Sequence, residues 1–132
     1  MPVKYLTAPE VIALHHTVLT RMGWHPAPLR SEDLLESAIQ RAQAAAFYAG
    51  AEIVEQACLM AVGISQNQPF LDGNKRTALF SLIVFLRING RTFTGEPLDI
   101  AAQLLAVSER EGSLEDATAS FAAWVRERTS EI

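Results

Sequence analysis

From Ala78 to Leu86 the chain reads Ala-Leu-Phe-Ser-Leu-Ile-Val-Phe-Leu, apolar at every position but Ser81. A helix built from it has no polar face, so it belongs among other helices rather than along a surface. It is too short to cross a bilayer, which takes about 20 apolar residues. An enclosed helix meets solvent only at its ends, so polar residues gathered at one end are candidates for a site.

Such residues stand directly before it. Gln68-Pro69-Phe70-Leu71-Asp72-Gly73-Asn74-Lys75-Arg76-Thr77 puts a Gly-containing turn and two adjacent cations at the helix start. A helix N-terminus carries unsatisfied N–H groups and about half a positive charge, so Lys75 and Arg76 are unfavourable there unless an anion joins them. The expected anion is a phosphate, because free amides, the dipole and a guanidinium capable of bidentate bonds together form a cradle for one. Asp72 is placed to hold the divalent metal that accompanies a nucleotide. The same residues also suit a plain surface turn, since Asp-Gly-Asn is a common turn sequence. Their gathering at the end of so apolar a helix favours a site.

The chain's 132 residues predict a single domain over 1–132, large enough to bury a core without metal or disulfide staples. A hydrophobic fraction of 49% with 20% charged residues marks a globular chain, and a formal charge of −4 argues against nucleic acid as a ligand. Cys58, the single cysteine, lies in the apolar run Ala57-Cys58-Leu59-Met60-Ala61 and is expected to be a buried thiol, which suits a reducing cytoplasm. No basic region followed by an apolar stretch opens the sequence, so neither secretion nor membrane insertion is expected.

The periodicity predicts an all-α architecture. Thr7-Ala8-Pro9-Glu10 has capping-box spacing, and Val11, Ile12, Leu14, Val18 and Leu19 follow at helical intervals to about Met22. Gly23-Trp24-His25-Pro26-Ala27-Pro28 reads as a loop. Ser31 caps a second helix with Leu34, Leu35, Ala38, Ile39 and Ala42 on one face, and Ala44-Ala45-Ala46 is expected to end it or adjoin a loop. A third helix is predicted from about Ala51 to Asn67, with Ile53, Val54, Ala57, Met60, Ala61 and Ile64 inward. The central helix runs from Asn74 to the stop at Asn89-Gly90, followed by a short extended piece at Arg91-Thr92-Phe93. Pro97 opens another helix toward Gly112, and Ser113 caps a last one carrying Phe121, Trp124 and Val125.

The motif resembles that of the Fic/Doc (Fido) superfamily, His-Pro-Phe-x-Asp/Glu-Gly-Asn-x-Arg leading into a central buried helix, and Gln68 to Arg76 match every fixed position but the first. The likeness is greater to the death-on-curing (Doc) branch. Asn74-Lys75-Arg76-Thr77-Ala78-Leu79, Phe85-Leu86-Arg87-Ile88-Asn89-Gly90, Leu6 to His15 and Leu34 to Ile39 all resemble it, so that the resemblance runs from about Tyr5 to Gly95. It implies a compact single-domain Fic/Doc fold of about six helices around a buried central helix. It further implies a toxin of a toxin–antitoxin pair, using ATP and Mg2+, with an antitoxin peptide as partner. Fic enzymes transfer AMP to a Ser, Thr or Tyr, whereas Doc proteins phosphorylate a threonine of elongation factor Tu. Lys75, where Fic enzymes usually have a second Gly, and Leu79, where they carry a second Arg, favour the Doc chemistry. By the resemblance Asp72 is the acidic residue of the catalytic loop, Gly73, Asn74, Lys75 and Arg76 bind phosphate, and Phe70 anchors the loop.

The resemblance fails at Gln68, the position of a general-base His. An imidazole titrates near neutral pH and accepts a proton from an attacking hydroxyl, while a neutral amide has no useful basicity. Since general-base assistance is typically worth about 10²–10⁴ in rate, the chain is expected to be inactive or severely slowed unless another base serves. His15 and His16, neighbours on a helix that face different ways, and His25 are the other imidazoles, each expected to pack or to lie at the surface. Three alternatives stay open: an AMP-transferring Fic enzyme, a nucleotide- or antitoxin-binding pseudoenzyme, and a helical interaction module that binds no nucleotide.

Overall fold

The computed structural model describes residues 2–132. In chain order the elements are α1 (Ala8–Arg21), α2 (Glu32–Ala49), α3 (Ile53–Asn67), α4 (Asn74–Ile88), β1 (Arg91–Phe93), α5 (Pro97–Ser108), α6 (Leu114–Glu127) and β2 (Thr129–Glu131). The fold is all-α, as the periodicity predicts. No helix among the described residues is long and apolar enough to cross a membrane.

The helix starts follow their caps. Thr7 and Glu10 form a reciprocal capping box on α1. The Ser31 hydroxyl accepts the Leu34 amide at 3.2 Å, and that of Ser113 accepts the Asp116 amide at 3.0 Å. In α2 the alanine triplet does not end the helix, which runs on to Ala49 and stops where Gly50 turns left-handed at φ 65°. Alanine is the strongest helix former, so the helix continues until a residue free to reverse the chain is reached.

Leu79, Leu82, Phe85 and Leu86 of α4 are fully buried, which puts this helix inside the molecule as expected. Its enclosure is incomplete, however, since Phe80, Ile83 and Val84 are half-buried and Ile88 is exposed. Helix α3 is more enclosed than α4, with Gln56, Ala57, Cys58 and every residue from Met60 to Ser65 buried between α2, α4 and α6. Two features permit this. Gly63 lets α2 come so close that a Cβ there would sit 2.9 Å from Ala38 Cβ. Buried Gln56 is satisfied at both ends, accepting from the Tyr5 hydroxyl at 2.7 Å and donating to the Ala51 carbonyl at 2.9 Å.

The extended piece expected at Arg91 to Phe93 is β1, paired antiparallel with β2 in the register Arg91↔Glu131, Thr92↔Ser130 and Phe93↔Thr129. It lies at the far end of α4 from the motif loop. At the near end, the connector from α1 to α2 is fastened to the connector from α3 to α4. Arg30 and Ser31 amides donate to the Pro69 carbonyl at 2.6 and 3.0 Å, the Leu71 amide donates to the Pro28 carbonyl at 3.1 Å, and Leu29 bridges Phe70.

Candidate functional site

The α4 amino end opens on an exposed turn. Gly73 is its N-cap in the left-handed conformation, φ 78°, and no side chain caps the first amides of the helix. A side chain at position 73 would be doubly unwelcome: φ is positive, and a Cβ would meet Leu19 Cδ2 at 2.9 Å. Lys75 and Arg76, both half-buried, form no ion pair among the described residues, where the pairs are Arg91–Glu131, Arg126–Glu55 and Arg128–Glu127. Two cations therefore flank the positive end of a helix, and the one carboxylate that borders the same pocket, Asp72, pairs with neither.

Other motif side chains are occupied in shaping the turn. Asn74 forms a reciprocal latch with Phe70: its Nδ2 donates to the Phe70 carbonyl at 2.9 Å, and its Oδ1 accepts the Phe70 amide at 3.0 Å. What Asn74 presents outward is thus its backbone N–H. Asp72 Oδ1 accepts the Gly73 amide at 2.8 Å, which leaves Oδ2 free. Phe70 is buried and lies flat on the His15 ring, with centroids 3.7 Å apart and planes 6° apart. His15 Nε2–H in turn donates to the Asp72 carbonyl at 2.9 Å. Burial pushes the His15 imidazole below its ordinary pKa, against the opposing pull of the Asp72 carbonyl and carboxylate. His15 is thereby a neutral ring under the loop and not a group facing the solvent. His16 and His25 are exposed and bond no motif residue.

Gln68 is the C-cap of α3 at φ 49° and ψ 60°, the one non-glycine residue of positive φ among those described. Such a conformation costs on the order of 1–2 kcal/mol for a residue with a Cβ. Arg30 holds it in place, its Nε donating to the Gln68 carbonyl at 2.8 Å and its Nη2 to the Asn67 carbonyl at 2.7 Å. The exposed Gln68 side chain borders an open pocket of about 320 Å³ together with Asp72, Gly73, Asn74, Lys75 and Arg76. All of the motif residues expected to handle phosphate are in this one place.

A search of protein families matches the Fic/DOC family model to residues 5–86, which takes in the motif loop and α4 as far as Leu86. Over 88 residues the chain is 34% identical to "Protein kinase doc" of Escherichia phage P1, an alignment covering 66% of this chain and 69% of that protein. The chain belongs to the Fic/DOC family. In this Fic/DOC protein α5, α6 and the strand pair follow the matched region.

Trp24 and Leu71, which border the same pocket, and Arg30, which clamps residue 68, were not among the residues singled out from the sequence. Trp24 reads there as part of a loop, and its place beside Gly73 depends on contacts distant in sequence. A larger groove of about 520 Å³ lies between α3 and α6, floored by Leu59, Val62 and Ala122. Its rim charges Arg126 and Glu55 pair with each other at 3.3 Å, and it contains none of the motif residues. Among the described residues no cluster of three or more His, Cys, Asp or Glu side chains could hold a metal. Asp72 Oδ2 nevertheless suits Mg2+, which is commonly bound by one or two carboxylates plus the phosphates of a nucleotide.

Proposed function

We propose that this chain is a Doc-type toxin of a toxin–antitoxin module, built to transfer the terminal phosphate of ATP to a protein hydroxyl and disabled or attenuated by Gln68. The observation that carries the reading is the uncapped α4 start with unpaired Lys75 and Arg76, in a chain 34% identical to a Doc protein kinase. The amides of Asn74 to Arg76 and the two cations bind phosphate, and Asp72 holds Mg2+. MgATP, when bound, supplies the phosphoryl group and the metal's charge. Leu79 is fully buried, so the pocket has no second arginine one turn along α4 to grip a further phosphate. That favours transfer of the terminal phosphate over transfer of AMP.

The proton of the attacking hydroxyl is the difficulty. Gln68 can orient a hydroxyl but cannot take its proton. His15 is buried, and its Nε2–H is committed to the Asp72 carbonyl. Of the side chains bordering the pocket, the Asp72 carboxylate alone can accept a proton. Threonine of elongation factor Tu is the proposed acceptor and an antitoxin peptide the proposed neutraliser, both on the strength of the family.

The test is Gln68→His with ATP labelled at either the terminal or the alpha phosphate. An imidazole at this position should raise phosphate transfer to elongation factor Tu by about 10²-fold or more and make the protein toxic to bacteria. Label arriving from the alpha position would replace the kinase reading with AMP transfer. If the His variant labels no bacterial protein while the parent chain still binds MgATP, the chain is a nucleotide-binding pseudoenzyme. If no nucleotide binds, it is an interaction module.

A further inference from the structure

The pocket at the α4 amino end has two unlike walls. One is the amide and cation wall of Gly73 to Arg76. The other is apolar: Trp24, 51% exposed, and Leu71, 62% exposed, border the same space. About half of Trp24 and more of Leu71 remain open to a ligand in this pocket, and a bare phosphate would use only the first wall.

Nor is Trp24 placed there loosely. Gly23, at φ 79°, turns the chain out of α1, and the Trp24 amide donates to the Leu19 carbonyl at 3.0 Å. The side chain of the same Leu19 lies against Gly73, where a Cβ would approach within 2.9 Å. A single residue thus fixes the Trp24 backbone relative to the glycine of the phosphate turn. Farther along the loop, the bonds from Arg30 and Ser31 to Pro69 and from Leu71 to Pro28 fasten it to the motif segment. The ring is presented from an anchored backbone, so ordering it on a ligand sacrifices little freedom.

We propose that Trp24 and Leu71 form a nucleobase subsite, with the base stacked on the indole and the phosphates on the α4 amides. Aromatic stacking tolerates any base because every base has a π face, so this wall supplies affinity for a nucleoside triphosphate without selecting its base strongly. The proposal rests on the phosphate reading of the site and extends it to the other end of the ligand.

Calorimetric titrations of MgATP and of magnesium tripolyphosphate into the parent chain, Trp24→Ala and Trp24→Phe separate the two. Trp24→Ala should weaken ATP by roughly five- to 150-fold and leave tripolyphosphate affinity unchanged, while Trp24→Phe, which keeps a ring, should retain most of the ATP affinity. Tryptophan emission of the parent should change with MgATP but not with tripolyphosphate, and this response should vanish in Trp24→Phe, where Trp124 alone remains. Equal losses for both ligands in Trp24→Ala, or none for either, would overturn the subsite and leave the phosphate site standing. If neither ligand binds the parent chain, the phosphate reading falls and the subsite with it.

Discussion

His15 and Asp72, 57 positions apart in the chain, are joined by a 2.9 Å hydrogen bond from the imidazole Nε2–H to the backbone carbonyl. The same ring lies flat on Phe70, so one buried side chain of α1 fixes two points of the motif loop. His15→Ala removes the stack and leaves a carbonyl without its donor. It should destabilise the fold by about 2–4 kcal/mol in urea denaturation. His15→Phe keeps a flat ring against Phe70 and should cost less, about 1–3 kcal/mol for the lost donor. Equal stability of the Phe variant and the parent would show that the hydrogen bond adds nothing.

At the α2–α3 contact a methyl group should be enough to do damage. Alanine in place of a helical glycine ordinarily gains about 1 kcal/mol. At Gly63, however, the new Cβ would meet Ala38 Cβ at 2.9 Å and its Cα at 3.0 Å, a clash with backbone as well as side chain. Gly63→Ala is therefore expected to destabilise by about 1–3 kcal/mol, read as a lower urea midpoint.

Arg76→Ala should separate binding from stability. Removing an unpaired cation from the positive end of α4 is expected to leave the melting temperature unchanged or slightly raised. Binding of ATP or sulfate should weaken several-fold, because a bidentate donor is lost. A variant that binds sulfate as well as the parent would remove Arg76 from the site.

Cys58 is fully buried, and desolvation pushes its thiol far above the ordinary cysteine value. The native protein should resist thiol reagents that label it at once in urea. The sign of the pH effect follows from the raised folded-state pKa. Its contribution is fully present below the unfolded thiol value of about 8.5 and is lost as pH rises above it, where only the unfolded chain ionises. Stability of Cys58→Ala, whatever its absolute level, should fall less between pH 8 and pH 10 than that of the parent.

Local signals in the sequence were enough for the helices, and for the site only in part. Thr7, Ser31 and Ser113 act as the caps their spacing suggests, because capping is decided within one turn. The all-round apolarity of Ala78 to Leu86 foretells a buried helix but hides the half-exposed Phe80, Ile83 and Val84 stripe. The deeper burial of α3 is obscured by Gln56 and Gly63, which look polar or weak alone and are accounted for by Tyr5 and Ala38, residues far along the chain. His15 could be weighed from sequence for acid–base chemistry but not recognised as the rest beneath Phe70. The pairing of β1 with β2 and the closeness of Trp24 to Gly73 depend on long-range contacts, which leave no periodic trace in so few residues.

The left-handed turn at Gln68 also bears on what this position can accept. With φ at 49° and the Asn67 and Gln68 carbonyls clamped by Arg30, the Cα–Cβ direction at position 68 is set by the main chain. Histidine is, with asparagine and aspartate, among the side chains that occur in this conformation several times more often than others. An imidazole at position 68 would therefore meet less backbone strain than most other side chains would.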